Sequence, residues 1–400
     1  LAEAEKFCED APMIAYAYGY FLQKQGRNDE ALALYQQAET RNPDYCFPSQ
    51  LHEMLVLRAA IQALPNSAKA CYYLGNLLYD KRQHEKAMAL WEKSVRQDSE
   101  FGMAWRNLGM AYFNQEHNLE KAIACYERAQ PLDADNARTF YEYDQLLKRK
   151  NLSLEERKAH YEANADLVEK RQDLYLEHAK FLALDGKLDE ARDRMLSYRF
   201  SPWENGEGRV SSLYESVYLL RGTQAMNNGD AVAALKEFEA GFVYPKNLGE
   251  DKTAVKLDAM FYYYLGIANK ALGKTNEANT WFEKAANERQ ALDDMGLFQA
   301  KAMRELGWDT EAEERLKWML DTATEERKRD VLSAFSQSHA SMFRLPTDPQ
   351  VMHELAMDWI IAAAKLGLGD AEGAKAVYES ILERDANHYP TLVWKALGMW

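Results

Sequence analysis

The 400-residue sequence has only four cysteines, Cys8, Cys46, Cys71 and Cys125, and none are in CxxC spacing. That scarcity points away from a disulfide framework and from a cysteine zinc site. Small buried thiols in a reducing, cytoplasmic setting are the expectation. No run approaches the roughly 18 consecutive apolar residues a membrane span requires, and no basic-then-apolar N-terminal segment reads as a signal peptide. The eight histidines are isolated and none forms HExxH or another metal spacing. A Gly-rich phosphate loop, a GxSxG elbow and a cysteine-nucleophile context are all missing. Neither a metal nor a cofactor is expected, nor enzyme activity carried by this chain alone. Positive charge is also short: 49 Lys and Arg against 63 Asp and Glu leave a net charge of −14. That balance opposes non-specific nucleic-acid binding and favours solubility.

What the chain does have is a period. Leu74-Gly75 recurs as Leu108-Gly109, 34 residues later. Each pair is followed by a small residue (Ala87, Ala122) and, four positions on, by an aromatic (Trp91, Tyr126). A glycine inside a helical pattern costs about 1 kcal/mol relative to alanine. Its recurrence predicts a second helix too close for a side chain. The aromatic lies on the same face as the alanine and fills the remaining space. Each unit therefore reads as a helical hairpin whose apolar side is sealed by its neighbour. Tyr18-Gly19 with Ala31 and Tyr35, and Leu265-Gly266 with Ala278 and Phe282, repeat the phrase. Partial copies surround Gly186, Gly229, Gly307 and Gly369, and a degenerate one has Tyr143-Asp144 at the Leu-Gly place.

This spacing resembles the tetratricopeptide repeat. The resemblance implies an all-α fold, a right-handed superhelical solenoid of helical hairpins with irregular loop inserts. The expected divisions are an N-terminal unit at 1–45, an irregular insert with a single helix at 46–67, and repeat units over 68–198. A Pro-Trp-Glu loop insert follows at 199–212, then units over 213–341 containing a loop at 242–252, and a break with a last unit and terminal helix at 342–400. Ser49 is the expected cap of the helix in the first insert, with Glu53 in its first turn. A first residue other than Met, and a final Leu397-Gly398 pair, suggest a fragment or a processed product.

Inserts in a solenoid emerge along an edge or face that is often the binding face. The loop Pro202-Trp203-Glu204-Asn205-Gly206-Glu207-Gly208 sets a large aromatic beside two carboxylates. Trp203 with Glu204 and Glu207 suits a sugar, with the ring on its apolar face and an acid accepting from its hydroxyls. Paired carboxylates also suit glycosidase chemistry in a composite site. A Trp tucked under its own repeat with solvated acids is the structural alternative. This loop, Tyr72 to Lys81, and Tyr244-Pro245-Lys246-Asn247-Leu248-Gly249-Glu250 resemble the C-terminal repeat region of a family of large bacterial proteins. In that family the repeats follow a β-rich region similar to carbohydrate-active enzymes. The resemblance implies a helical tail whose partner is its own N-terminal β-rich domain, with carbohydrate near the inserts. Asn205 departs from it, where Gly is expected.

A second candidate site is the concave groove lined by the first helix of each unit. Tyr72, Asn76 and Tyr79 are expected to face Arg106, Met110 and Phe113, with Arg138 beyond. Asn76, Arg106 and Arg138 resemble the residues with which co-chaperone repeats clamp a C-terminal carboxylate, although Tyr72 stands where a basic residue is expected. Aromatic-rich first helices are otherwise inter-repeat core. The functional expectation is a non-enzymatic scaffold packed against a carbohydrate-processing domain. The alternative is a free-standing adaptor that takes a partner peptide in the groove.

Overall fold

A computed structural model describes Glu3 and residues 10–202, 206–252, 256–331 and 348–400. The described residues form 21 α-helices and a short 3-10 turn, with no strand among them. They divide into two compact units, the first ending at Lys150 and the second beginning at Asn151. Each is a stack of antiparallel helices, the all-α solenoid architecture.

The first unit contains α1 (Pro12–Lys24), α2 (Asn28–Thr40), α3 (Leu51–Ala63), α4 (Ala68–Asp80), α5 (His84–Gln97), α6 (Gly102–Glu116), α7 (Leu119–Leu132) and α8 (Ala137–Arg149). Helices α1/α2, α4/α5 and α6/α7 pair as hairpins. A Cβ on Gly75 would lie 2.5 Å from Trp91 Nε1, one on Gly19 2.7 Å from the Tyr35 ring, and one on Gly109 2.8 Å from the Tyr126 ring. Close approach of the second helix is thus what each glycine permits. The buried Trp91 indole N–H donates to the Tyr72 carbonyl at 3.2 Å and to Asn76 Oδ1 at 3.1 Å, so its polar edge is satisfied inside the core.

Helix α3 has no partner helix after it and packs between α1 and α4. Its cap differs from expectation. Gln50, not Ser49, holds the N-cap position, and Glu53 reaches back to accept from the N–H groups of both Ser49 and Gln50 at 2.7 Å. One carboxylate there satisfies two orphan donors that a Ser49 hydroxyl could not. Glu39, at the end of α2, spans the insert and accepts from the N–H groups of Lys69 and Ala70 at the start of α4, and from the Ser67 hydroxyl.

The second unit contains α9 (Leu154–Ala163), α10 (Ala165–Val168), α11 (Gln172–Leu184), α12 (Leu188–Ser197), α13 (Arg209–Asn227), α14 (Ala231–Phe242), α15 (Ala259–Ala271), α16 (Thr275–Ala286), α17 (Met295–Glu305), α18 (Asp309–Glu326), α19 (Pro349–Gly367), α20 (Ala371–Arg384) and α21 (Tyr389–Ala396). The glycine–aromatic contact recurs between Gly266 and Phe282, and between Gly222 and Phe238. Within this unit the last helices return to the first. Helix α21 packs on α11 and α13. Asn151 Nδ2 donates to the Glu383 carbonyl, the Ala386 N–H donates to Asn151 Oδ1, and Asn387 Nδ2 donates to the Leu152 carbonyl. The fully buried Arg157 donates to Asn387 Oδ1 at 2.7 Å and to Glu177 at 2.9 Å. The unit is a closed ring of helices, and one apolar cluster runs from Tyr175 to Leu397.

Candidate interaction surfaces

The two long inserts of the second unit are fastened to each other. Helix α12 ends at Ser197, and the chain crosses to α13 through 198–208. Its Phe200 N–H donates to the Asn247 carbonyl at 2.8 Å, while the Asn247 side-chain amide donates back to the carbonyls of Met195 and Tyr198 at 2.8 and 2.9 Å. Leu248 is buried beneath this junction. Gly249 sits at φ +69°, where an added Cβ would meet the Phe200 carbonyl at 2.6 Å, so both its backbone angle and its contact require glycine. Glu250 completes the tie by accepting from the N–H groups of Gly208 and Ser211, each at 3.0 Å. A carboxylate there caps the start of α13, whose N-cap is Gly208 and offers no side chain.

Beside the junction, Tyr214 faces Tyr244 edge-on. The Tyr244 hydroxyl donates to Glu215 and accepts from Lys256 at 2.7 Å, and Lys256 also pairs with Glu215 at 2.6 Å. Burial, then the Glu215 charge, push the Tyr244 hydroxyl well above its ordinary pKa, so it remains a donor. The loops are thus held by side-chain-to-backbone bonds that helix stacking does not need. Glu207 stands exposed on this platform between two glycines. Trp203 and Glu204 lie outside the described residues.

The groove residues fall on successive first helices of the first unit: Tyr72, Asn76 and Tyr79 on α4, Arg106 and Phe113 on α6, and Arg138 on α8. Their polar groups are committed within the chain. Asn76 Oδ1 accepts from Trp91 and from Asn107 Nδ2. Arg106 makes a two-pronged ion pair with Glu142, both bonds at 2.6 Å. The Tyr126 hydroxyl and Arg138 Nε reach the same carboxylate at 2.9 and 3.1 Å. Burial opposes the Arg106 charge, but Glu142 more than offsets it and the guanidinium pKa is raised. A carboxylate clamp built on Asn76, Arg106 and Arg138 therefore already has an internal carboxylate, Glu142, in it. Tyr72 is buried against Phe101 and Tyr73, with ring centroids 4.8 and 5.4 Å away. Tyr79 packs on His84 and Trp91 and accepts from Gln115. Phe113 is buried, with the Arg149 guanidinium 5.7 Å from its ring.

The cysteine thiols are not poised for chemistry. Burial raises Cys71 to about 11 and Cys125 to about 12, and Cys46 is raised for the same reason. Cys8 lies outside the described residues. Among the described residues no group of three metal-ligating side chains converges, and no helix is long and apolar enough to cross a membrane.

Residues 14–45 and 72–137 match models of the family described as tetratricopeptide repeat. These two stretches hold the α1/α2, α4/α5 and α6/α7 hairpins, and they are tetratricopeptide repeats. Three solved structures share some likeness. YrrB, described as "a TPR protein with an unusual peptide-binding site", is 16% identical, over 65% of this chain and 97% of its own, with TM-score 0.31. A tetratricopeptide repeat protein from Parabacteroides merdae is 15% identical, over 73% and 98%, with TM-score 0.30. A chain of the Naa15/Naa10 complex bound to HypK-THB is 13% identical, over 96% of this chain and 65% of that one, with TM-score 0.40. At these TM-scores the likenesses say nothing of what this chain binds.

Proposed function

We propose that this chain is a non-enzymatic scaffold of tetratricopeptide type whose fastened loop pair is the platform for a partner domain. The partner is the β-rich, carbohydrate-linked region of a larger bacterial polypeptide. One observation carries the reading: Asn247 and Glu250 tie two loops, some forty residues apart in sequence, into one fixed surface. A preorganised loop surface lowers the entropic cost of binding, whereas connectors with no other task are free to vary. The loop sequences are also where the family resemblance is most specific. The adaptor alternative requires Arg106 to leave Glu142 before a peptide carboxylate can take its place, at the cost of exposing a buried acid.

The test is calorimetric titration of this chain with the polypeptide encoded immediately before it in its gene. One-to-one binding is expected, weakened roughly tenfold or more by Asn247→Ala with Glu250→Gln. The helical circular dichroism of that variant should match the wild type. Absence of heat with both pieces folded, or wild-type affinity in the variant, removes the platform from the function.

A further inference from the structure

In helix α18, Glu311, Glu314, Arg315 and Trp318 follow one another at i, i+3, i+4 and i+7 and so share one face. All four line a cavity of about 750 Å³, together with Trp308, the residue before the helix, and the end of α16. That volume falls within the roughly 300–1,000 Å³ of small-molecule sites. Trp318 is the only tryptophan among the large apolar side chains left exposed in the described residues, at 41%. It is nonetheless held in place. The Arg315 guanidinium lies over its ring, 4.6 Å from the centroid. Arg315 is itself only 4% exposed, and it is fixed by donating to Gln299 Oε1 at 2.9 Å and to the Ala291 carbonyl at 2.7 Å. A cation thus anchors the indole from one side while part of the ring stays in water.

The polar groups of the same lining are unsatisfied in both senses. Arg315 Nη1 is buried and has no acceptor among the described residues. Glu311 and Glu314 accept no hydrogen bond and pair with no cation among them. The third acid of the lining, Glu288, is already occupied, accepting from the N–H groups of Asp258 and Ala259 at 2.8 Å. A ligand that serves both kinds of group must donate and accept. A hydroxyl does both, whereas an ammonium only donates and a carboxylate only accepts. A sugar ring carries several hydroxyls on its edge and an apolar C–H face that stacks on an indole.

We infer that this cavity binds a neutral carbohydrate, one ring stacked on Trp318 and its hydroxyls serving Glu311, Glu314 and the Arg315 guanidinium. The site uses no residue of the loop platform and its test needs this chain alone, so the two proposals fail separately. The full chain is screened against immobilised neutral oligosaccharides of glucose, galactose, mannose and xylose, and the best binder is then titrated in solution by calorimetry. Capture of at least one is expected. Trp318→Ala should weaken it roughly tenfold or more, and Glu311→Gln with Glu314→Gln should do the same. The helical circular dichroism of both variants should match the wild type, since all three side chains are exposed. Affinity should hold between about 0.1 and 0.5 M salt, because a neutral ligand offers no charge to screen. Failure to retain any of the glycans overturns the proposal, as does equal affinity in the variants. Binding of tetralysine instead, falling with salt and lost in the glutamine variant, would give the cavity to a cationic segment and overturns it too.

Discussion

Closure of the second unit makes a demand that an open stack of hairpins does not. Arg157 and Asn387 lie 230 residues apart, yet Nη1 donates to Oδ1 at 2.7 Å inside the protein. Replacing Arg157 by Met keeps the apolar stem and removes the guanidinium from between Asn387 and Glu177. Breaking a buried ion pair costs roughly 3–5 kcal/mol. The lower end applies here, because Glu177 keeps Lys180 at 2.9 Å. Asn387→Ala loses the same bond and the donation to the Leu152 carbonyl, about 1–3 kcal/mol. The bond they share joins a charged donor to a neutral acceptor, so the double variant should fall short of the sum by about 1.5 kcal/mol.

The assay is urea unfolding of the four proteins in the cycle. It is read by intrinsic tryptophan fluorescence, to which Trp359 and Trp394, with rings 4.2 Å apart in the same unit, contribute. Residues with no shared partner add to within about 0.5 kcal/mol. Additivity at that level would show that the two ends do not meet, and the ring would have to be replaced by an open stack.

Three further outcomes follow from the packing and the charges. Gly75→Ala should destabilise by about 1–3 kcal/mol, because the new Cβ would lie 2.5 Å from Trp91; a gain in urea midpoint, as helix propensity alone demands, would contradict the close approach. Burial and then Asp293 raise the Asp294 pKa to about 6, so the folded state holds its proton more tightly than the unfolded chain. Stability from this group is therefore lost as pH rises from about 4 through 6, and Asp294→Asn should stabilise at pH 7.5 and give little at pH 4; an equal gain at both would rule the linkage out. Arg106→Met should destabilise the first unit by about 3 kcal/mol, the lower end of the range for a broken buried pair because Glu142 keeps Arg138 and the Tyr126 hydroxyl, and Glu142→Gln in the same background should recover part of the loss; urea unfolding without that recovery would argue against the pair.

The repeat was legible because it obeys a local rule. Gly75 and Trp91 are sixteen residues apart in one hairpin, and their residue types announce that two helices touch. Gly222 obeys the same rule but was hidden, since Arg221 stands where leucine or tyrosine precedes the other glycines. The structure explains the exchange: Arg221 pairs with Glu237 at 2.7 Å and with Asp189 at 2.5 Å. The caps were less legible, because a local reading looks for Ser or Thr at the helix start. Here Glu39, Glu250 and Glu288 arrive from other elements to cap α4, α13 and α15. Arg106 and Arg138 looked like a clamp for the same reason. Their partner Glu142 sits 36 residues from Arg106, on the helix of the next repeat, and nothing in the sequence around Arg106 shows it.

The loop pair and the α3 face show where sequence reasoning about such a solenoid gains and loses its hold. An insert announces itself by breaking the period, so both places were visible as irregularities. What each insert becomes depends on whether it finds polar partners. Near the ends of the first loop, backbone groups of Tyr198, Phe200 and Gly208 meet Asn247 and Glu250. At 45–55 the break adds a helix without a second helix to cover it, and Phe47, Leu51 and Leu55 remain in water. Burying apolar surface is worth about 25 cal/mol per Å², and side chains exposed in the folded and the unfolded chain alike contribute none of it. Leu51→Asp with Leu55→Asp should accordingly leave the unfolding free energy of the chain within about 0.5 kcal/mol of wild type. A large loss of stability would instead make the two leucines part of the core.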